Sequence, residues 1–213
     1  MKVNYIWIGT QEVPSKYISN LQKCASLNPN FQFQVWRNEE CINLLQENNL
    51  FDYWTTLSFV CKCNLLKYLI LDKFGGIYTD FDIAWKVPFI KILNDFNFAN
   101  VDLIATILDS NPIIVGNQPI NLVDDPFLAS KPNVLGNCIE YCKNRTDLKY
   151  DGEIYLSTKE LKTHKTEPIG PFGLTEWILN SNIKVSTFTQ STLLDHNGFF
   201  GVHDQKMGWK NIY

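Results

Sequence analysis

Nowhere does the chain run apolar and uncharged for long enough to cross a bilayer, so no integral membrane segment is expected. The opening apolar run, Val3 to Ile8, is too short for the core of a secretory signal, and it reaches Gly9 and Pro14 without a small-residue cleavage pattern. Basic stripes are missing as well. With a formal net charge of -3 and interspersed Lys, Arg, Asp and Glu, nothing is arranged to neutralise a phosphate backbone, and nucleic acid is not an expected partner. The six cysteines, Cys24, Cys41, Cys61, Cys63, Cys138 and Cys142, form no paired C-x-x-C set of the kind that binds zinc. They are also few for a disulfide scaffold in 213 residues, which predicts free thiols in a reducing, cytoplasmic setting. A Walker A loop and a G-x-G-x-x-G fingerprint are both absent, which removes kinase and dinucleotide-enzyme readings. Without repeats, low-complexity tracts or a Pro/Gly/Ser linker, and with 45% hydrophobic residues, residues 1–213 are expected to form one compact domain.

What is present is a succession of strand and helix signals. Val3 to Ile8 reads as a buried first strand, and Pro14 to Leu27 carries helical spacing up to the breaker pair Asn28-Pro29. Phe31 to Trp36 alternates apolar with polar, and Asn38 is placed to cap a helix through Leu45. A longer helix is predicted over Leu57 to Phe74, with Val60, Leu65, Leu69 and Phe74 toward the core and Gly75 as its stop. Asn64 and Lys67 lie three apart on it and share a face. Gly76 to Thr79 is a short strand. Farther on, Val101 to Leu108 reads as a strand, Asn111 to Asp125 as Pro-, Asn- and Asp-rich turns, Asn133 to Lys143 and Leu174 to Leu179 as helices, and Ile183 to Phe188 as a late strand. Alternating strands and helices predict an α/β fold, a Rossmann-like sheet flanked by helices.

The chemistry concentrates in GGIYTDFD. Asp80 and Asp82 follow a strand, at the end where open α/β sheets bind ligands. In an extended segment they would point the same way, toward one hard cation, with Phe81 packed behind them. Two carboxylates do not fill a metal's shell; a substrate diphosphate would supply the rest, and Mn²⁺ or Mg²⁺ suits such oxygen-rich ligation. A bare Asp-x-Asp also occurs as an ordinary solvated turn. Its position behind a helix, two glycines and a strand is what makes it a site candidate.

The stretch SFVCKCNLLKYLILDKFGGIYTDFDIAW resembles the DXD-containing sugar-binding region shared by yeast-type α-mannosyltransferase relatives, glycosphingolipid α-glycosyltransferases and large clostridial glucosylating toxins. NYIWIG, NPNFQFQVW, IGPFGLT and HDQKMGW extend the likeness, in the family's order, over most of the chain. The compact size is similar to that of viral or bacterial versions, such as glycosyltransferase domains encoded by large algal viruses. The resemblance implies a single GT-A-like domain, a nucleotide-sugar donor, a divalent metal and retention of anomeric configuration.

Residue by residue, the resemblance gives Asp80 to ribose and donor sugar, and Asp82 to the metal. It gives Trp7 to the nucleotide base, although a core aromatic would look the same in sequence. His203 is implied as a third metal ligand, with a surface histidine as the alternative, while Lys206, Gly208 and Trp209 belong to a segment that closes over the diphosphate. Asn121 matches a family amide near the reacting sugar, and Asp124 or Asp125 would approach the anomeric centre or acceptor hydroxyl. Asp125-Pro126 would equally serve as a helix cap. The turn Gly170-Pro171-Phe172 is expected to bring backbone close to a sugar, and His164 and His196 are read as structural. Two departures stand out. Asn64 and Lys67 replace an Asp and an Arg that hydrogen-bond sugar hydroxyls in the family, and Gly208 replaces a serine.

The expected activity is transfer of a hexosyl or deoxyhexosyl group from a nucleoside diphosphate sugar, uridine-linked, to a glycan hydroxyl. A nucleotide-sugar phosphohydrolase or nucleotidyltransferase would use the same metal and diphosphate, and a noncatalytic sugar-binding module would also account for Trp and Asp clusters. A glycoside hydrolase fits less well, because it needs carboxylates on opposite faces of the scissile bond.

Overall fold

The computed structural model describes residues 1–115, 118–144, 169–190 and 198–203. Their elements, in chain order, are β1 (Lys2–Ile6), α1 (Ser15–Leu27), β2 (Gln32–Trp36), α2 (Asn38–Glu47), α3 (Phe51–Thr56), α4 (Phe59–Phe74), β3 (Gly76–Thr79), β4 (Ile83–Trp85) and α5 (Phe89–Asp95). A 3₁₀ turn at Phe98–Asn100 precedes β5 (Leu103–Val115), β6 (Gln118–Ser130), α6 (Gly136–Asn144), α7 (Pro171–Asn180), β7 (Val185–Thr189) and β8 (Gly201–His203). No helix among the described residues is long and apolar enough to cross a membrane.

Six strands form one mixed sheet in the order β2-β1-β3-β6-β5-β7, with β4 and β8 as a separate antiparallel pair. All neighbours in the large sheet run parallel except β6, which is antiparallel to both β3 and β5. Helices cover both faces, so the strands alternate between two apolar layers rather than between core and water. Val3, Tyr5, Ile77, Ile104 and Phe127 pack with Cys24 of α1 and Phe89 and Ile92 of α5. Ile6, Tyr78, Leu103, Ala105 and Leu128 pack with α4, α6 and α7 on the opposite face. This is the flanked α/β sheet expected from the alternation of elements.

The two glycines before the acidic pair have distinct reasons. Gly76 holds φ at +98°, and a Cβ there would lie 2.4 Å from the Lys2 carbonyl oxygen, so only glycine lets β3 start this close to β1. The other marks the end of α4, which Ser58 begins by accepting from the Cys61 amide at 3.3 Å. Between α1 and α5, Asn28 acts as a clasp: its Nδ2 donates to Cys24 O at 2.8 Å and its Oδ1 accepts from Phe89 N at 2.6 Å.

Several expectations are corrected. Residues 111–115 and 118–125, read as turns, belong to the paired strands β5 and β6. Their backbone ladder continues through Ile113 with Ile120, Ile114 with Pro119 and Val115 with Gln118, after a register shift between Leu108 and Ile113. Asp125-Pro126 therefore lies within β6 and caps no helix. The N-cap of α2 is Arg37, whose amide donates to Glu40 Oε2 at 2.7 Å; Asn38 instead exchanges hydrogen bonds with the Gly9 backbone at 2.8 and 2.9 Å. Phe74 is 44% exposed, stacked on Trp36 rather than in the core. The acidic pair is not extended: the chain turns from Asp80 through Asp82, with Ile83 N reaching Asp80 O at 3.4 Å. The short elements α3, α5, β4 and β8 were not anticipated, being too brief to show a period.

Candidate active site

The carboxyl edge of the parallel strands collects the sequence-predicted residues from distant parts of the chain. Trp7 follows β1 and Asp80 follows β3. Because β6 runs the other way, its early residues reach the same edge, where the Asp80 amide donates to the Pro126 carbonyl at 2.9 Å. Asp125 thereby stands next to the acidic turn.

From below, α4 supplies the charge. Lys67 is 6% exposed and donates from Nζ to Asp125 Oδ1 at 3.0 Å and to the Asp125 carbonyl at 3.3 Å, while Asp80 Oδ1 lies 3.5 Å away. The ammonium also sits 4.9 Å from the Tyr78 ring centroid. Burial alone would lower its pKa; Asp125 and Asp80 more than reverse that and hold it above the ordinary lysine value. Lys67 is therefore a fixed cation.

Two tyrosines complete the cluster. Tyr68 donates to Asp125 Oδ2 at 2.9 Å and Tyr78 donates to Asp80 Oδ1 at 2.5 Å. Burial, with Asp125 beside Tyr68 and Asp80 beside Tyr78, raises both phenol pKa values well above the usual range, so both remain donors. Neither role was read from the sequence, although Tyr78 precedes Asp80 by two positions.

The acidic turn is also held from the opposite face. Phe81 is buried against Tyr5 at 4.7 Å and Trp7 at 5.8 Å between ring centroids, as its packing behind the pair predicts. Asn20, a buried polar residue of α1, donates to the Phe81 carbonyl at 3.1 Å. That contact was missed; its signal is an amide on the apolar face of α1, one turn from Cys24. Trp7 is half-buried, meets Tyr17 edge-on at 6.2 Å and donates from Nε1 to Gln11 O at 2.8 Å.

Asn64 and Lys67 share a buried face of α4, but only Lys67 contacts the carboxylates. Asn64 is 2% exposed and donates to the Ile169 carbonyl at 3.4 Å. It fixes the loop that starts α7, where Gly170 holds φ at +150° and a Cβ would lie 2.8 Å from Asn64 Nδ2. Asn121 is exposed on β6, four residues before Asp125. In the small sheet the backbone of His203 is paired with Ile83, directly after Asp82. Lys206, Gly208 and Trp209 lie outside the described residues, as do His164 and His196.

The donor set fits a hard divalent cation: two carboxylates leave one turn at the ligand-binding edge, and Asp80 is 31% exposed at its side chain. Among the described residues, no group of three or more His, Cys, Asp or Glu is placed to hold a metal. Further oxygens would have to come from substrate or water.

Residues 14–99 match the family described as glycosyltransferase sugar-binding region containing DXD motif, and both aspartates fall inside the match. This stretch is similar to a DXD sugar-binding region. Inositol phosphoceramide mannosyltransferase 3 of Schizosaccharomyces pombe is 28% identical over 82 residues, covering 35% of this chain and 22% of that protein. An uncharacterized glycosyltransferase, L373, of Acanthamoeba polyphaga mimivirus is 30% identical over 101 residues, 44% of this chain and 38% of the viral protein. The alignments thus span well under half the length of these relatives. The solved structure named PaToxG Glycosyltransferase superposes with a TM-score of 0.54 at 14% identity, over 84% of this chain and 68% of that one, which shows a shared fold. The matched stretch runs from α1 through α5, and it holds both buried partners of the Asp80 side chain, Lys67 and Tyr78, whereas Asp125, which shares Lys67, lies beyond it.

Proposed function

We propose that the chain transfers a hexosyl or deoxyhexosyl group from a nucleoside diphosphate sugar to a glycan hydroxyl, with retention and with a divalent metal held by Asp80 and Asp82. The observation that carries this reading is the acidic turn itself: a DXD pair at the carboxyl edge of the sheet, inside the matched sugar-binding region, with Asp80 fixed by Tyr78 and Lys67. The relative named as a mannosyltransferase supports a hexosyl donor.

Mn²⁺ or Mg²⁺ bound there would neutralise charge on a leaving diphosphate. The chain's own residues would do the rest. Asp82 offers oxygen to the metal, Asp80 meets ribose and sugar hydroxyls as an acceptor, and Trp7 lends its indole to the base, for which uridine is the proposed partner. His203, whose backbone pairs with Ile83, would join as a third ligand, and Lys206, Gly208 and Trp209 would close over the diphosphate. None of the six cysteines is joined in a disulfide, which supports a reducing, cytoplasmic setting.

A thermal-shift panel of nucleotide sugars, with and without Mn²⁺, tests the reading. A shift that needs both a uridine donor and metal is expected; a shift with free sugar alone would instead indicate a binding module. Asp82→Ala should abolish calorimetric Mn²⁺-dependent donor binding while keeping the far-UV spectrum, and unchanged binding would remove Asp82 from the metal. Product analysis should find nucleoside diphosphate with an extended glycan, not nucleoside monophosphate.

A further inference from the structure

Asp125 is 5% exposed, and both of its carboxylate oxygens are engaged: Oδ1 by Lys67 Nζ at 3.0 Å and Oδ2 by the Tyr68 hydroxyl at 2.9 Å. A carboxylate enclosed in this way has no path to an anomeric carbon or an acceptor hydroxyl. Its chemistry is spent on Lys67. A lysine ammonium has three donors, and three oxygens surround this one, Asp125 Oδ1 at 3.0 Å, Asp125 O at 3.3 Å and Asp80 Oδ1 at 3.5 Å. Both of the hydrogen bonds it makes here go to Asp125, while Asp80 is met as an ion pair.

The unequal distances carry the argument. Lys67 lies closer to the buried carboxylate than to Asp80, whose side chain is 31% exposed at the ligand-binding edge. Without Asp125, the same buried ammonium would have Asp80 as its nearby counter-charge, and low-dielectric attraction would draw the two into direct contact. Asp80 would then be turned inward and neutralised.

We propose that Asp125 is a positioning residue: by binding Lys67 from β6 it keeps that ammonium from full contact with Asp80, and so leaves Asp80 aimed at the donor. The inference rests on the donor- and metal-binding reading of Asp80 and Asp82 above. It also accounts for the departures at Asn64 and Lys67, because here each side chain is committed to the protein: one holds the Ile169 carbonyl and the other is bound to Asp125.

The test compares the full chain with Asp125→Asn and with the neutral pair Asp125→Asn/Lys67→Met. Mn²⁺ binding is read by electron paramagnetic resonance, Mn²⁺ with uridine diphosphate by calorimetry, and each ligand-free variant by crystallography. Asp125→Asn should weaken Mn²⁺ and uridine diphosphate binding by about tenfold or more, the usual scale for a partner that orients a ligand. Its ligand-free structure should show Lys67 Nζ drawn onto Asp80. Removing Lys67 as well should bring affinity back to within about threefold of the unmodified chain, on the same scale of orienting effects. A merely structural role, or direct contact with donor, predicts no such rescue. Affinity unchanged in Asp125→Asn, or a double variant at least as weak as the single one, overturns the proposal. If Asp125→Asn does not fold, the double variant, which buries no unpaired charge, still decides it by retaining or losing affinity. Should the unmodified chain bind neither probe, the functional reading fails, while the Lys67 to Asp80 separation in the ligand-free variant still supports or overturns the positioning role.

Discussion

On one face of the sheet, α4 lays a lysine between two carboxylates and under two phenols. The other face has rings: Trp85 packs on Phe89 and Phe127 at 5.0 and 5.2 Å, Phe188 meets Phe127 at 5.6 Å, and Phe96 meets Phe188 at 4.9 Å. Both faces grip the same acidic turn, the first through Asp80 and the second through Phe81. The aromatic grip is non-directional and tolerant; it gains from area and from ring geometry worth about 0.5–1.5 kcal/mol per pair. The ionic grip is directional and tolerates nothing unpaired, because a buried charge without its partner is costly. Orientation of the Asp80 carboxylate is thus set on one side, and the turn's place in the fold on the other.

The contrast can be broken from either side. Phe127→Ala removes a fully buried ring with three aromatic neighbours and should lower unfolding stability by about 4 kcal/mol in urea denaturation, with Mn²⁺ binding of the folded fraction unchanged. Lys67→Met should cost about 3 kcal/mol by leaving Asp125 buried without its cation, and adding Asp125→Asn should restore most of that. An additive double variant would mean the pair is not coupled.

Alkaline pH sharpens the comparison. Burial pushes Cys41 up to about 12 and Cys24 up to about 11, and Lys67, Tyr68 and Tyr78 are raised as well. Each raised group adds stability that is fully present below its unfolded-state pKa and is lost as pH rises through the folded one. Stability should therefore hold to about pH 8 and fall above the ordinary cysteine and tyrosine values, about 8.5 and 10. The Asp125→Asn/Lys67→Met pair should show a shallower fall, followed by denaturation midpoint against pH. The smallest effect is expected from Asn20→Ala, about 1–2 kcal/mol for a buried carbonyl left without its donor at Phe81, which would loosen the turn from the aromatic side.

Much of this architecture was legible because local chemistry and global fold agree. Gly76 to Thr79 announced a short strand and Asp80 at its end announced a site, whereas the close approach of Gly76 to the Lys2 backbone is seen only in the fold. The helix over α4 could be read from its apolar residues, and its shared face for Asn64 and Lys67 followed from spacing. The pairing of β5 with β6 was obscured because Asn111, Pro112 and Pro119 carry turn chemistry, although Asn111 and Pro112 fall at a register shift and Pro119 pairs with Ile114. Asp125 was misplaced for a deeper reason. Its partner lies 58 positions away, and only an antiparallel strand inserted among parallel ones brings it to the ligand edge. No local pattern encodes a strand order.

That reversed strand has a consequence for how the chain acquires its structure. Gly76 pairs with Ser130 and Thr79 with Phe127, so β6 closes the middle of the sheet across a long loop, the kind of contact that folding reaches late. The same docking delivers the counter-ion of Lys67. Until it happens, the lysine of α4 must stay hydrated, and the helix cannot bury its charged face. The strand that completes the sheet is thus also the one that carries the counter-ion of the buried ammonium, so a molecule lacking β6 would lack both.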